Sequence, residues 1–89
     1  MARMDMSLVD NAQIAASSNN ASSLLELGIM YSTGRDVEQD LISAHKCFNL
    51  AALQGLQEAR EYRQEIASEM SPQEIAEAQR QARDWLSMN

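Results

Sequence analysis

Three groups of residues have the types and spacing to do chemistry. The first is the stretch LGIMYSTGRDVEQD, Leu27 to Asp40, where glycine, an aromatic side chain and four charged groups crowd together. A phosphate cradle needs closely spaced glycines and a Lys-Ser or Lys-Thr pair entering a helix after a strand. Gly28 and Gly34 are six apart, no lysine follows them in place, and no strand precedes. A calcium loop would use alternating carboxylates such as Asp36, Glu38 and Asp40, but it also needs a glycine at the sharp turn and a distant bidentate Glu in register. Neither is present, so the stretch reads as a corner between two helices.

The second group is His45 and Cys47. Two residues apart on a helix they stand roughly 200° around its axis, too far to ligate one metal or to form a nucleophile–base pair. There is no other His or Cys, so an internal disulfide and a zinc site are both ruled out. His45 is expected at the surface or half-buried, and Cys47 is expected to act as a small buried hydrophobe. No catalytic residue, metal or cofactor is expected.

The third group is Glu58, Glu61, Glu65 and Glu69, which recur at intervals of 3, 4 and 4 and so form one stripe on a helix. Such a stripe is either a solvated face or a surface for a basic partner. Arg60 and Arg63 fall on other faces.

The elements that must carry these residues are helical. Aromatics make up only 4% of the chain while alanine and methionine are frequent, a mix suited to close helix packing rather than to a β-sandwich. One proline and three glycines leave long windows with apolar residues at helical spacing. Helices are expected over Asp5–Ser18, Ala21–Ser32, Leu41–Gln54 and Gln57–Met70, with a fifth running from Pro72 to about Ser87. Asn19 and Gly55 end the first and third, Gly34 ends the second, and Asp40 caps the third. The fifth opens on a capping box, in which Ser71 is the N-cap, Pro72 the first helical residue and Glu74 the reciprocal acceptor. Its inward face should hold Ile75, Ala78, Ala82, Trp85 and Leu86.

A chain of this length makes one small domain at most. The net charge of −6 and pI near 4.5, with seven scattered basic residues, argue against nucleic acid or an anionic membrane as partner. No stretch approaches the length of a membrane span, and MARMDMSLVD lacks the apolar core of a secretory leader, so a cytoplasmic location is expected.

The spacing also holds a repeat. Ala15–Ala16 and Ala51–Ala52 lie 36 residues apart, and that offset sets Asn19 on Gly55 and Ser23 on Ala59, pairing two helix ends and two small residues. Within it, ASSLLELGIMYSTGRDVEQDLISAHKCFNLAALQGLQEA resembles the Sel-one-like repeat, a relative of the tetratricopeptide repeat found in bacteria and eukaryotes. The residues that carry the resemblance are Leu27, Gly28, Tyr31, Gly34, Val37, Asp40, Ala44, Phe48, Ala51, Ala52, Gly55 and Ala59. Asp36 departs from the pattern, standing at the place of its second turn glycine. Cys47 also departs, standing at the first of its aromatic pair. One full repeat spans residues 21–55, with a capping helix at 5–18 before it and a degenerate helix pair at 57–87 after it.

The resemblance implies an all-α domain, a short α-α superhelix of about five helices acting as a non-catalytic protein-interaction or scaffold module. In such arrays the first helix of each unit lines the concave groove, and the offset sets Glu58, Glu61, Glu65 and Glu69 level with Ser22, Leu25, Ile29 and Thr33. The expected partner is a peptide or helix of another protein, basic and amphipathic, bound by Leu25, Ile29 and the four glutamates. The other expectation is a self-associating structural or regulatory protein, a homodimer paired through exposed helical faces.

Overall fold

The computed structural model describes residues 20–88, and every regular element in them is an α-helix. These are α1 (Ala21–Thr33), α2 (Leu41–Leu53), α3 (Gln57–Ala67) and α4 (Pro72–Met88). Four helices thus stand where five were expected, because the expected first helix, 5–18, lies outside the described residues.

Local chemistry sets most of the boundaries. Asn20 caps α1 by accepting from the Ser23 N–H at 3.0 Å, and Asp40 caps α2 by accepting from the Ser43 N–H at 3.1 Å and its hydroxyl at 2.8 Å. The Ser71 hydroxyl accepts from the Glu74 N–H at 3.1 Å while the Glu74 carboxylate accepts from the Ser71 N–H at 2.8 Å, closing the expected capping box. Each such cap contributes on the order of 1 kcal/mol. At the far end of α1, the N–H groups of Gly34 and Arg35 both donate to the Met30 carbonyl, with Gly34 left-handed at φ 77°. Asp36, at the place of a turn glycine, is itself left-handed at φ 66°. Short polar side chains are among the few that tolerate this conformation. The Asp40 N–H then donates to the Tyr31 carbonyl at 2.9 Å, tying the corner back onto α1.

Two expectations need correction. The helix expected over Gln57–Met70 ends at Ala67. There the Ser68 hydroxyl donates to the Glu65 carbonyl at 2.7 Å, and the next N–H groups close short turns onto Ile66 and Ala67. Serine competing for the backbone favours such an ending, and the turn swings Met70 into the core. Leu86, expected to face inward, is 50% exposed. Trp85 beside it takes the inner position, and a helix cannot bury two adjacent long side chains on one narrow stripe.

The core sits around α2, which packs against each of the other three helices. Leu24 clusters with Leu50 and Ala51, and Leu27 and Met30 cluster with Cys47, so α1 and α2 run antiparallel. Along α3, Ala59 shares a cluster with Ala51, Tyr62 stacks on Phe48 with ring centroids 5.3 Å apart, and Ile66 shares a cluster with Ala44. This pair is antiparallel too. Ala78 joins the cluster of Ala44 and Ala82 that of Ala51, so α4 runs in the same direction as α2.

Residues with almost no side chain set these close approaches. Ala44, Ala51, Ala59 and Ala78 are wholly buried, which lets the helix backbones approach and leaves the volume between them for Phe48, Leu24 and Leu27.

Candidate functional site

α3 presents two chemically different faces. Glu58, Glu61 and Glu65 are exposed, and with Tyr62 they line an open surface hollow of about 330 Å³. None of the three carboxylates has a hydrogen bond or ion pair with a described residue. The ion pairs among those residues are Arg80 with Glu77 and Arg80 with Asp84, both on exposed α4. Glu69 is exposed but lies in the turn beyond α3, outside the hollow. Leu25 and Ile29 are half-buried and pack with Tyr62 against the Phe48 cluster, so they flank the acidic face from the apolar side without lining its hollow.

The other face of α3 meets α2 and α4 around a cavity of about 470 Å³. His45 and Asn49 of α2, Arg60, Arg63, Gln64 and Ala67 of α3, and Ile75 and Gln79 of α4 line it. Arg63 donates from Nη1 to Asn49 Oδ1 at 2.5 Å, which fixes its guanidinium at the wall.

His45, expected at the surface or half-buried, is only 3% exposed. Its Nδ1 is buried with no hydrogen-bond partner. Burial, and then the Arg63 guanidinium, lower its pKa and hold the ring neutral. The folded protein therefore binds fewer protons than the unfolded chain once pH falls below the ordinary histidine value of about 6.5. Stability should fall between pH 7.5 and 5, by at most about 1.4 kcal/mol per pH unit for one group. Urea unfolding at several pH values checks this, and His45→Gln should flatten the dependence. Glu77, held at about 2 by its hydrogen bonds from Arg80 and Gln81, acts only at lower pH.

Cys47 is 1% exposed, and burial pushes its thiol up to about 12, so it is a packing residue without thiolate chemistry. The Asp40 carboxylate is occupied as the cap of α2. Among the described residues no group of three or more His, Cys, Asp or Glu is placed to hold a metal, and no helix is long and apolar enough to cross a membrane.

Comparison of the chain with protein-family models, with curated proteins and with solved structures gives no match. The resemblance to Sel-one-like repeats therefore rests on the residues that carry it.

Among those residues, the helix crossing is the clearest. Gly28 of α1 lies against Phe48 of α2 so closely that a Cβ on Gly28 would stand 2.6 Å from Phe48 Cε1. Tyr31 and Val37 pack on the Leu27, Met30 and Cys47 cluster, while Ala52 packs half-buried beside Ala51 and Ala59. Gly55, left-handed at φ 95°, follows the end of α2.

The polar cavity is the feature that reading the chain residue by residue does not assemble. Its signal is nonetheless periodic. His45 and Asn49 are four apart, Arg60, Arg63, Gln64 and Ala67 follow at 3, 4 and 7, and Ile75 and Gln79 are four apart. Each set is one helical face.

Proposed function

We propose that the chain is a non-catalytic interaction module, a fragment of α-α superhelix of the Sel-one-like kind, whose acidic α3 face docks a basic amphipathic segment of a partner protein. The superhelix reading is supported by the antiparallel α1–α2 pair, by α4 lying beside α2 in the same direction, and by Leu25 and Ile29 meeting Tyr62 in one cluster. Stacked helix pairs have these relations, and the chain departs from them in that α3 and α4 each pack on α2 rather than on each other.

The observation that carries the binding assignment is the set of three carboxylates without a partner among the described residues, Glu58, Glu61 and Glu65, around Tyr62 in one hollow. Lys and Arg side chains of a docked helix would supply the missing counter-charges, while its apolar side chains would meet Tyr62 and the exposed parts of Leu25 and Ile29. Glu69, one turn on, would extend the field at its rim.

Binding of a synthetic basic amphipathic helix to the full chain, followed by calorimetry at two salt concentrations, tests this. The Glu61→Lys, Glu65→Lys double variant should bind about tenfold more weakly at low salt and lose most of the salt dependence. Equal affinity of the variant and the native chain would sink the assignment.

A second reading, self-association, is favoured by the exposed apolar side chains Leu53, Leu86 and Met88. Light scattering across a concentration series separates the two, since a homodimer grows with concentration while an adaptor remains a monomer until its partner is added.

A further inference from the structure

The cavity on the other side of α3 has no part in that docking, and its composition is unlike the rest of the molecule. The chain carries a net charge of −6, yet the lining holds two arginines, the one histidine, three carboxamides and no carboxylate. Neither Arg60 nor Arg63 has an ion-pair partner among the described residues. His45 borders the hollow, with its unpartnered Nδ1 buried on the side away from solvent. Two guanidinium groups with no ion-pair partner among the described residues share one concavity with three carboxamides, a lining suited to an anion.

We propose that the cavity between α2, α3 and α4 binds a small phosphomonoester, with Arg60 and Arg63 holding the phosphate and His45, Asn49, Gln64 and Gln79 surrounding it. The charge and the donors select this ligand. A lone carboxylate is satisfied by one forked guanidinium, whereas a phosphate monoester carries about −1.5 to −2 charges on three acceptor oxygens. That charge matches two arginines, and those oxygens outnumber what a single arginine serves.

The volume points to an organic body as well. The hollow is open to solvent, and its volume of about 470 Å³ exceeds what a bare phosphate fills. Ala67 and Ile75 supply an apolar wall for the remainder. Arg63 is already oriented by Asn49 at 2.5 Å, so the ordering of that side chain precedes binding. A phosphate beside His45 would also offset the Arg63 charge that helps to hold the ring neutral.

The test is a titration of the full-length, isotope-labelled chain at constant ionic strength, with inorganic phosphate, phenyl phosphate and succinate in separate arms. The His45 ring, the Asn49 side-chain amide and the Arg63 Nε–H are observed by NMR. Saturable shifts at all three groups with both phosphates, tighter for phenyl phosphate, are expected, together with a rise of the His45 pKa on saturation. Arg60→Gln, at an exposed position where folding is not at stake, should weaken phenyl phosphate by about tenfold. Arg63→Lys, which keeps the charge but loses the fork, should weaken it as well. Arg80→Gln, on the outer face of α4, should leave it unchanged. Shifts that never saturate, a succinate response equal to or greater than that of phenyl phosphate, or equal losses in the Arg60 and Arg80 variants would each overturn the proposal.

Discussion

Phe48→Ala is expected to destabilise the protein by about 3–5 kcal/mol, the usual cost of truncating a buried aromatic to alanine. That range applies here because Phe48 is the largest fully buried side chain among the described residues. Phe48 is 0% exposed, stacked on Tyr62 and pressed against Gly28. Its cluster also holds Ala44, Ile66, Met70 and Ala78, so side chains from α2, α3, α4 and the turn before α4 meet around one ring, with Gly28 of α1 at its edge. The alanines in that cluster have already brought the helices as near as their backbones allow, so only longer neighbours such as Met70 and Ile66 can lean into the void. At about 0.05–0.15 kcal/mol per residue, a domain of this size has on the order of 4–13 kcal/mol in total. The variant should therefore be partly unfolded at 25 °C in the lower half of that range. In urea denaturation followed by circular dichroism, a midpoint unchanged within error would remove Phe48 from the centre of the fold.

How much of this was legible beforehand depends on the range over which each decision is made. The starts of α2, α3 and α4 follow from residues within one turn of them. Asp40 caps with Ser43, Gly55 breaks the chain before Gln57, and Ser71 and Glu74 close their box. These are local choices, and local residue types carry them. The all-helical class follows for the same reason, since no segment offered β periodicity to compete.

Misreadings arose where tertiary burial decided. Nothing between Ala67 and Ser71 is a strong helix breaker, so periodicity alone carries α3 on to Met70. The chain turns earlier because Met70 gains a place in the core and Ser68 can satisfy a carbonyl. Trp85 and Leu86 are both apolar and adjacent, and only the neighbouring helix decides which of them it covers. Trp85 lies on the α2 side, with Lys46 Nζ 5.5 Å from its ring.

The acidic face and the polar cavity differ in the same way. Glu58, Glu61 and Glu65 share one element, so their common stripe is readable from spacing, and only the loss of Glu69 to the turn is decided by tertiary packing. The cavity draws its residues from three helices. Each contributes a short periodic set of ordinary appearance, and the meeting of the three sets depends on how α3 and α4 both lie against α2. His45 was misread for that reason, since a lone histidine on a helix carries no mark of what will cover it.

Gly28→Leu is the second variant expected to have a large effect, and it separates a packing glycine from a flexible one. Gly28 sits inside α1, where glycine costs about 1 kcal/mol against alanine, so on helix propensity alone any substitution but proline should stabilise. The crossing with α2 reverses that sign. The first carbon of any side chain would stand 2.6 Å from Phe48 Cε1 and 2.7 Å from Cδ1, well inside contact distance. Phe48 cannot swing away, because Tyr62 stacks on it and its cluster is closed. Overpacking of this kind costs about 1–3 kcal/mol and sometimes more. Gly28→Ala should therefore be destabilising by a net amount at the low end, the propensity gain offsetting part of the clash. Gly28→Leu adds three further carbons against a wholly buried ring and should lose about 3 kcal/mol or more, comparable to Phe48→Ala. A double-mutant cycle isolates the contact. With Phe48→Leu in the background the ring edge is gone, and the penalty of Gly28→Ala should shrink by at least about 0.5 kcal/mol. If it does not shrink, the cost lies in the α1 backbone rather than in the crossing, and the close approach of α1 to α2 is not what Gly28 is there to permit.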